Sequence, residues 1–400
     1  MRRLFGYRDA RLFIGGQALS TIGDSALWLA MGIWVKILTG SNSQAGLVFL
    51  AFTGGILLSP VTGLVADRLR RRPLLVATNL AAAAGVCALL LVSGPGQIWL
   101  IYLVMFGYGV ANTLIASAQT ALLAVLLPTD LLGEANSALQ LAAQGFRLIT
   151  PLIGAGLLAW VGPAPVIGLD AATFLAAAGL TAALRIREPA PAPATGHWRA
   201  EMTAGISHIA RTAALRRLLI SGVIALLVFG FFETVPFAVT GQGLHRAPTF
   251  LGVLEAVMGA GAVAGGVLAA AVMRRTGERA LVALALAGCA GACLLLMPGS
   301  LPVVLAGMAL LGLSIVWVNV GAITLIQRRT PAPLLGRVDA ALMTAITIPQ
   351  VVSIALGAAL IAIVDYRILL VAMAVVTVAA ALYLVGRPDP AYPAVAAVDG

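Results

Sequence analysis

Between two long apolar segments the chain reads Gly63-Leu64-Val65-Ala66-Asp67-Arg68-Leu69-Arg70-Arg71-Arg72-Pro73. A glycine at the start of this stretch permits close contact between helices. The aspartate can bind an arginine or the N-terminus of a neighbouring helix. A solvated basic loop would explain the arginines but not the aspartate. The stretch therefore predicts a conformational latch formed by Gly63, Asp67, Arg68, Arg71 and Arg72.

The apolar character extends over the whole chain. Hydrophobic residues make up 61% of the 400 positions, charged residues make up 10%, and the mean hydropathy is +1.03. This composition excludes a water-soluble globular protein. A bilayer core of ~30 Å needs roughly 20 apolar residues per helix, and about twelve such segments lie between Arg11 and Val385. We therefore predict an all-α polytopic membrane protein with twelve transmembrane helices.

The arginines and lysines predict the orientation of these helices. With the N-terminus in the cytoplasm, 21 of the 25 basic residues fall on the cytoplasmic side, as the positive-inside rule requires. The exceptions are Lys36, Arg246 and Arg367 outside and Arg147 within a span. The prediction is a multi-pass protein of the cytoplasmic membrane with both termini in the cytoplasm. Topology then explains the net charge of +10, and no nucleic-acid partner is predicted.

The chain is predicted to divide into two six-helix bundles, residues 1–184 and 217–386. Residues 185–216 form a cytoplasmic linker, with an amphipathic stretch at the membrane surface, and residues 387–400 form a cytoplasmic tail. The two halves match at a constant displacement of 203 residues. The matching pairs include Arg71-Arg72 with Arg274-Arg275, Pro128 with Pro331, Gly133-x-x-Asn136-x-Ala138-Leu139 with Gly336-x-x-Asp339-x-Ala341-Leu342, and Gly154-Ala155 with Gly357-Ala358. Parallel repeats of this kind predict a substrate site between the halves near mid-membrane.

The first span carries a polar face inside the membrane. Gln17, Ser20 and Asp24 are spaced i, i+3 and i+7, which places them on one side of a helix. A carboxylate at mid-membrane depth costs at least ~2.5 kcal/mol on insertion scales, so it usually faces a bundle interior or a water-filled path. Asp24 is therefore a candidate for proton coupling or substrate binding.

A second polar face lies on the fifth span, where Gln140, Gln144 and Arg147 follow one another at i, i+4 and i+7. An arginine inside a membrane needs an anion, water or substrate as its partner. Asp24 is one candidate partner. A structural ion pair and a role in substrate or proton handling are both open from the sequence.

The second half contributes two further acids. Glu233 follows the aromatic stretch Phe229-Gly230-Phe231-Phe232, and Glu255 lies early in the eighth span. Aromatic rings beside an acid suit a lipophilic cation, although ordinary packing explains the phenylalanines equally. A carboxyl group removed from water binds a proton more readily, so both glutamates are candidates for proton exchange. Asp170 is predicted to have a structural role near the outer end of its span.

These motifs resemble those of the major facilitator superfamily. The stretch 63–73 is similar to the family signature G-x-x-x-D-R-x-x-R-R, with Arg70 where the family often has glycine. A narrower likeness to the exporter branch that includes enterobactin and macrolide efflux carriers rests on Arg11-Leu12-Phe13, Gly16-Gln17-Ala18-Leu19-Ser20, Gly23-Asp24, Leu38-Thr39-Gly40-Ser41, Asp170-Ala171-Ala172-Thr173-Phe174 and Gly336-Arg337-Val338. The resemblance implies efflux driven by proton exchange.

The same resemblance implies that spans 1, 4, 7 and 10 line the substrate cavity. It adds as candidate contacts Asn112 and Gln119 on span 4, and Trp317 and Asn319 on span 10. Hydrogen bonds between helices are the alternative for these neutral polar groups.

The remaining chemistry is limited. Lys36 is the only lysine and Ile37 follows it, so the phosphate-binding motif G-x-x-x-x-G-K-[ST] is absent. No cofactor is predicted, and the energy source is expected to be the proton gradient. Cys87, Cys289 and Cys293 are predicted to pack in the core. No catalytic or metal-binding constellation is visible, so we do not predict an enzyme.

The sequence thus predicts a secondary active exporter of a small amphiphilic molecule, such as an antibiotic. Transport would proceed by proton antiport and alternating access, in a monomer within the lipid bilayer. Protonation of Asp24 or Glu233 would accompany the return to one face. Export of a siderophore, an own metabolite or a lysophospholipid is the alternative within transport. A non-transporting membrane receptor, which would show binding without flux, is the alternative of another class.

Overall fold

The structure, a computed structural model, describes residues 6–128, 131–186, 198–331 and 334–386. All the regular structure in these ranges is helical. The first half contains α1 (Arg8–Thr39), α2 (Asn42–Ile56), α3 (Ser59–Arg68), α4 (Arg71–Ala88), α5 (Ile98–Leu126), α6 (Leu132–Trp160) and α7 (Pro163–Ala182). After α8 (Trp198–Arg211), the second half contains α9 (Ala213–Phe229), α10 (Val235–Ala238), α11 (Leu251–Thr276), α12 (Glu278–Leu295), α13 (Leu301–Arg329), α14 (Leu335–Leu360) and α15 (Tyr366–Val385).

The helices confirm the predicted all-α membrane fold. Ten described segments are long and apolar enough to cross a membrane, and there are eleven if α2 and α3, bent by 44°, form one span. The remaining predicted span corresponds to α6, whose apolar part is Ile149–Trp160. Helix α9 begins at Ala213, inside the range predicted as linker. Leu215 is fully buried in the core, and the Arg216 guanidinium donates to the carbonyl oxygen of Ala210 at 2.7 Å.

Residues at the helix ends produce the short connections. Helix α1 ends at Gly40, whose φ of 70° is the left-handed conformation that glycine adopts without strain. The next residue, Ser41, caps α2 by accepting a hydrogen bond from the backbone N–H of Gln44 at 3.3 Å. At the start of α15, the Asp365 carboxylate accepts from the backbone N–H of Arg367 at 2.8 Å.

The two halves have the same internal packing. In the first half, α1 packs against α6 and α7, α2 against α5, and α4 against α5 and α7. In the second half, α9 packs against α14 and α15, α11 against α13, and α12 against α13 and α15. Helix α5 covers 98–126 where α13 covers 301–329, which is the displacement of 203 residues found in the sequence. The repeat in sequence is therefore a repeat in structure.

Glycines at equivalent positions permit the closest helix contacts within each half. A Cβ atom at Gly109 of α5 would lie 3.0 Å from the carbonyl carbon of Phe52 and would clash with its oxygen. The equivalent Gly312 of α13 meets the backbone of Met258 in the same way. Small residues at these positions allow backbones to approach, which is the main source of helix association in membranes.

Among the described residues, the closest contacts between the halves lie at one end of the molecule. We call the end with the start of α1 and the α3–α4 connection the arginine-rich end, and the other the opposite end. At the opposite end, Gly252 of α11 lies against Ala155 of α6, where an added Cβ atom would approach the Ala155 Cβ atom to 2.6 Å. Gly46 of α2 lies against Thr234 and Ala358. These contacts close the space between the bundles at the opposite end.

Aromatic rings complete this closure. The rings of Phe49 and Phe237, one from each half, have centroids 6.2 Å apart. Both rings face Gly32 of α1, where an added Cβ atom would lie 2.8 Å and 2.9 Å from their Cζ atoms. A glycine is thus required where the two aromatic side chains meet.

Helix α8, predicted as an amphipathic stretch of the linker, packs against α14, and the His208 Nε2 atom lies 3.1 Å from the carbonyl oxygen of Arg329. One sequence prediction differs from the structure. Cys289 and Cys293 are buried in the core as predicted, but Cys87 is exposed on α4. A thiol is small and apolar enough to face lipid, so its residue type did not indicate which side of the helix it occupies.

We expect Gly109→Ala to lower the apparent melting temperature of the detergent-solubilised protein by several degrees. The added methyl group would clash with the Phe52 backbone, and such overpacking typically costs ~1–3 kcal/mol. Gly107→Ala is the matched control, because no atom lies within 4 Å of the position of its Cβ atom. Equal melting temperatures for the two variants would contradict the proposed close contact.

Candidate functional site

A polar cavity of about 430 Å³ lies in the first half, between α1 and α5. We call it the N-half cavity. Its polar lining combines residues of α1 and α5: Gln17, Ser20, Thr21, Asp24, Tyr108, Asn112, Gln119 and Thr120. The structure thus brings the predicted face of span 1 together with the predicted polar residues of span 4.

Asp24 has a hydrogen-bond donor in this cavity. The hydroxyl group of Tyr108, on α5, donates to the Asp24 Oδ1 atom at 2.5 Å. The Tyr108 ring is held by edge-to-face contact with Phe174 of α7, with centroids 5.5 Å apart. This hydrogen bond holds the Asp24 carboxyl group at the cavity wall.

A second cavity, of about 240 Å³, is lined by Glu233 and Glu255 of the second half. We call it the C-half cavity. Its wall consists of Leu226, Phe229, Gly230, Phe232, Glu233, Pro236, Glu255, Met258, Met308, Leu311, Ile315 and Gln350, with Trp28 from the first half. Because α1 supplies Trp28, this cavity is bounded by both halves.

The C-half cavity has acidic and aromatic character. Glu233 and Glu255 are close enough to interact electrostatically, and no described residue donates a hydrogen bond to either carboxyl group. The rings of Phe229 and Phe232 pack with centroids 5.1 Å apart. Carboxylates together with aromatic faces and methionine sulfurs form a surface that attracts a lipophilic cation. Phe231 is different, because it is buried against Gly357 in the core.

Two predicted site residues, Trp317 and Asn319, do not line either cavity. The Trp317 indole N–H donates to the carbonyl oxygen of Gly265 at 2.9 Å, which is the helix-to-helix bond considered as the alternative. Asn319 is exposed and donates to Ile315 of its own helix at 2.9 Å. The side chains of Gln144 and Arg147 lie outside the described part of the structure, so their roles stay predictions.

The predicted latch is described only in part. The Arg72 guanidinium donates to the carbonyl oxygen of Ala182, which links α4 to α7. Arg68 is exposed at the end of α3, Arg71 is half-buried at the start of α4, and the side chain of Asp67 is not described. Within the described ranges no atom lies within 4 Å of a Cβ atom at Gly63, so the expected close helix contact is absent there. Close approach of this span to α5 occurs instead at Gly55.

Three residues of these sites were not predicted from the sequence. Tyr108 and Trp28 lie in apolar helices, where one aromatic residue gives no signal of its position. Asp170 lies seven residues after the start of α7 and is fully buried; the sequence predicted a structural role for it but not its position beside Tyr108 and Asp24. Its position within the D-A-A-T-F motif at 170–174 was the available signal. Among the described residues, no group of three or more histidines, cysteines or acids resembles a metal site.

Comparison with known proteins places the chain in one family. The family model described as Major Facilitator Superfamily matches residues 13–354. An uncharacterized MFS-type transporter, YfiS, of Bacillus subtilis (strain 168) is 25% identical over 377 residues, which cover 87% of this chain and 88% of YfiS.

Solved structures show the same fold. The inward-facing crystal structure of a bacterial homologue of the iron transporter ferroportin has a TM-score of 0.72 and 15% identity, covering 95% of this chain and 98% of that one. The outward-facing structure of such a homologue, with soaked iron, has a TM-score of 0.59 and 16% identity, with the same coverage. These likenesses, together with the family match, show a transporter and not an enzyme. The chain therefore belongs to the Major Facilitator Superfamily.

Proposed function

We propose that this transporter exports lipophilic cations from the cytoplasm of a prokaryote in exchange for protons, acting as a monomer by alternating access. The observation that carries the proposal is the C-half cavity, where Glu233 and Glu255 share one wall with Phe229, Phe232 and Trp28. An uncompensated carboxylate pair in an apolar site is costly. A cargo that brings its own positive charge and an apolar body would remove that cost.

The N-half cavity supports proton coupling. Asp24 lines a polar cavity that is separate from the C-half cavity, and the lining residues of the two cavities do not overlap. A carboxyl group in such a cavity can change its charge without direct contact with the cargo. Proton binding and cargo binding would then occupy different halves of one molecule.

The contacts at the opposite end support alternating access. They join small residues and aromatic rings without ion pairs among the described residues, so they can separate at modest cost. The higher TM-score with the inward-facing ferroportin homologue also supports a state that is open at the arginine-rich end. By the positive-inside rule that end would be cytoplasmic.

The primary test is uptake of ethidium, a lipophilic cation, into inverted membrane vesicles with an imposed pH gradient. We expect protonophore-sensitive uptake by the wild type and loss of gradient-driven uptake in Asp24→Asn. Asp9→Asn is the matched control on the same helix, because Asp9 pairs with Arg8 at 3.4 Å near the start of α1. Ethidium binding to correctly inserted protein without flux would instead support a receptor. Full gradient-driven uptake by Asp24→Asn would contradict the role of Asp24.

We expect Glu233→Gln and Glu255→Gln to raise the KM for ethidium about tenfold, which corresponds to ~1.4 kcal/mol. Each change removes one negative charge from the C-half cavity but keeps the shape of the side chain. Glu278→Gln is the control, because Glu278 pairs with Arg328 at 3.2 Å at the arginine-rich end, away from the cavity. Unchanged KM values in both cavity variants would rule out the C-half cavity as the cation site.

We expect Gly252→Trp to shift the population about tenfold or more toward the state open at the opposite end. The indole would displace Ala155, and an overpacking cost of ~1–3 kcal/mol is large enough for such a shift. The measurement uses spin labels at Trp160 and Ile363, which are exposed positions in different halves, in a Cys87→Ala background that removes the exposed native thiol. The distance between the two labels should be longer in Gly252→Trp than in the protein without this change. Gly266→Trp is the control, since no atom lies within 4 Å of its Cβ position. Matching distance distributions for the two variants would contradict the assignment of this contact.

A further inference from the structure

One tyrosine hydroxyl lies between two buried carboxyl groups of the first half. The Tyr108 hydroxyl oxygen is 2.5 Å from the Asp24 Oδ1 atom and 3.4 Å from the Asp170 Oδ1 atom. The three residues come from three different helices, α5, α1 and α7. Tyr108 is 8% exposed and Asp170 is 0% exposed. The hydroxyl therefore connects the two acids by hydrogen bonds. No other hydrogen bond joins them among the described residues.

A hydrogen count limits the protonation of this group. The tyrosine carries a single hydroxyl hydrogen, which can be donated fully to one carboxylate at a time. The shorter contact shows that Asp24 receives it. The tyrosine oxygen can also accept a hydrogen bond, and Asp170 can supply one only when it carries a proton. Two carboxylates this close in an apolar interior also repel each other. The arrangement is therefore satisfied when the pair of acids holds one proton.

Asp170 is isolated from the N-half cavity. Asp24 and Tyr108 line that cavity, whereas Asp170 does not. The Asp170 Oδ2 atom is buried and has no hydrogen-bond partner among the described residues. The nearby Thr173 hydroxyl already donates to the Asp170 carbonyl oxygen at 2.8 Å. Of the described titratable side chains on the packed helices, Asp24 and Tyr108 are those that interact with Asp170.

Close packing keeps water away from the buried acid. A Cβ atom at Gly23 of α1 would lie 2.9 Å from the Asp170 Cα atom. The backbone of α1 thus covers α7 at the level of the carboxyl group. Because the α1 backbone covers Asp170, a proton from the N-half cavity would reach Asp170 through the Tyr108 hydroxyl, which is the connection that the described residues provide.

We propose that Tyr108 relays a proton between Asp24, at the cavity wall, and Asp170, which stores the proton out of contact with the cavity. In the relay, Asp24 passes its proton to the tyrosine oxygen while the tyrosine hydrogen moves to Asp170. Tyr108 ends as the same neutral hydroxyl, and one proton has moved from one acid to the other. This assignment rests on the proton coupling proposed above, but its first test does not require transport.

The test is infrared difference spectroscopy of the purified protein in lipid nanodiscs, with the C=O band of protonated carboxyl groups followed through a pH titration. We expect Asp170→Asn to lose one component of this band. We expect Tyr108→Phe, which keeps the aromatic ring, to shift that component because its hydrogen-bond partner is gone. Tyr102→Phe is the matched control on the same helix, since the Tyr102 hydroxyl donates to the Gln44 carbonyl oxygen at 3.1 Å and to no acid. The Tyr102 variant should leave the band unchanged.

Identical spectra for the wild type, Asp170→Asn and Tyr108→Phe would overturn the proposal. The Tyr108→Phe result decides the matter if Asp170→Asn does not fold. In vesicles, Tyr108→Phe should lose gradient-driven ethidium uptake while it retains exchange of ethidium across the membrane without a gradient. Absence of gradient-driven uptake in the wild type would contradict the proposed function but not the relay. Gradient-driven uptake by Tyr108→Phe at the wild-type rate would contradict the relay but not the proposed function.

Discussion

Close backbone contact at small residues links the packing inside each bundle to the contact between the bundles. Lipid tails are as apolar as the side chains they touch, so helices in a membrane associate through close contact rather than through burial from water. Gly154 of α6 packs against the Ala26 backbone of α1, and the next residue, Ala155, contacts Gly252 of the other half. The second half repeats this arrangement, because Gly357 packs against Phe231 and Ala358 contacts Gly46. In each half, the glycine of the repeated Gly-Ala pair therefore contacts its own bundle, and the alanine contacts the other bundle.

The buried acids of the two halves differ in their hydrogen-bond partners. In the first half, Asp24 receives a hydrogen bond from Tyr108, so part of the cost of burial is met by the protein. In the second half, no described donor reaches Glu233 or Glu255, and the surrounding wall is aromatic and apolar. A group with its own partner can change its charge within the protein, whereas a group without one gains most from a charged ligand. This contrast is the physical basis for separating proton and cargo sites.

The sequence predicted those features that depend on periodicity along one helix. The shared face of Gln17, Ser20 and Asp24 follows from a repeat of 3.6 residues, and the displacement of 203 residues follows from comparison of the two halves. Features that depend on how one helix is rotated against another were not predictable in this way. Tyr108 faces Asp24, and Trp28 reaches the C-half cavity, because of the crossing of helices from separate parts of the chain.

The expectation at Gly63 differs from the structure for a related reason. A glycine in a loop motif shows where close contact is possible, but the state of the transporter decides whether the contact is made. The halves meet at the opposite end in this structure, and among the described residues Gly63 makes no comparable contact at the arginine-rich end. Gly252 and Gly46, which do make the contact, lie in helices rich in glycine and alanine, where one glycine is not distinguishable from the next.

Helix α1 gives the two proposed sites a physical connection. Asp24 lines the N-half cavity and Trp28 lines the C-half cavity, and a spacing of four residues places them about 6 Å apart along one helix. The same helix carries Ala26, on which Gly154 seats, and Gly32, where the aromatic rings of the two halves meet. Under the alternating access proposed above, α1 would move together with the first half. A charge change at Asp24 would then act on the same helix that positions Trp28 beside the cargo and closes the opposite end.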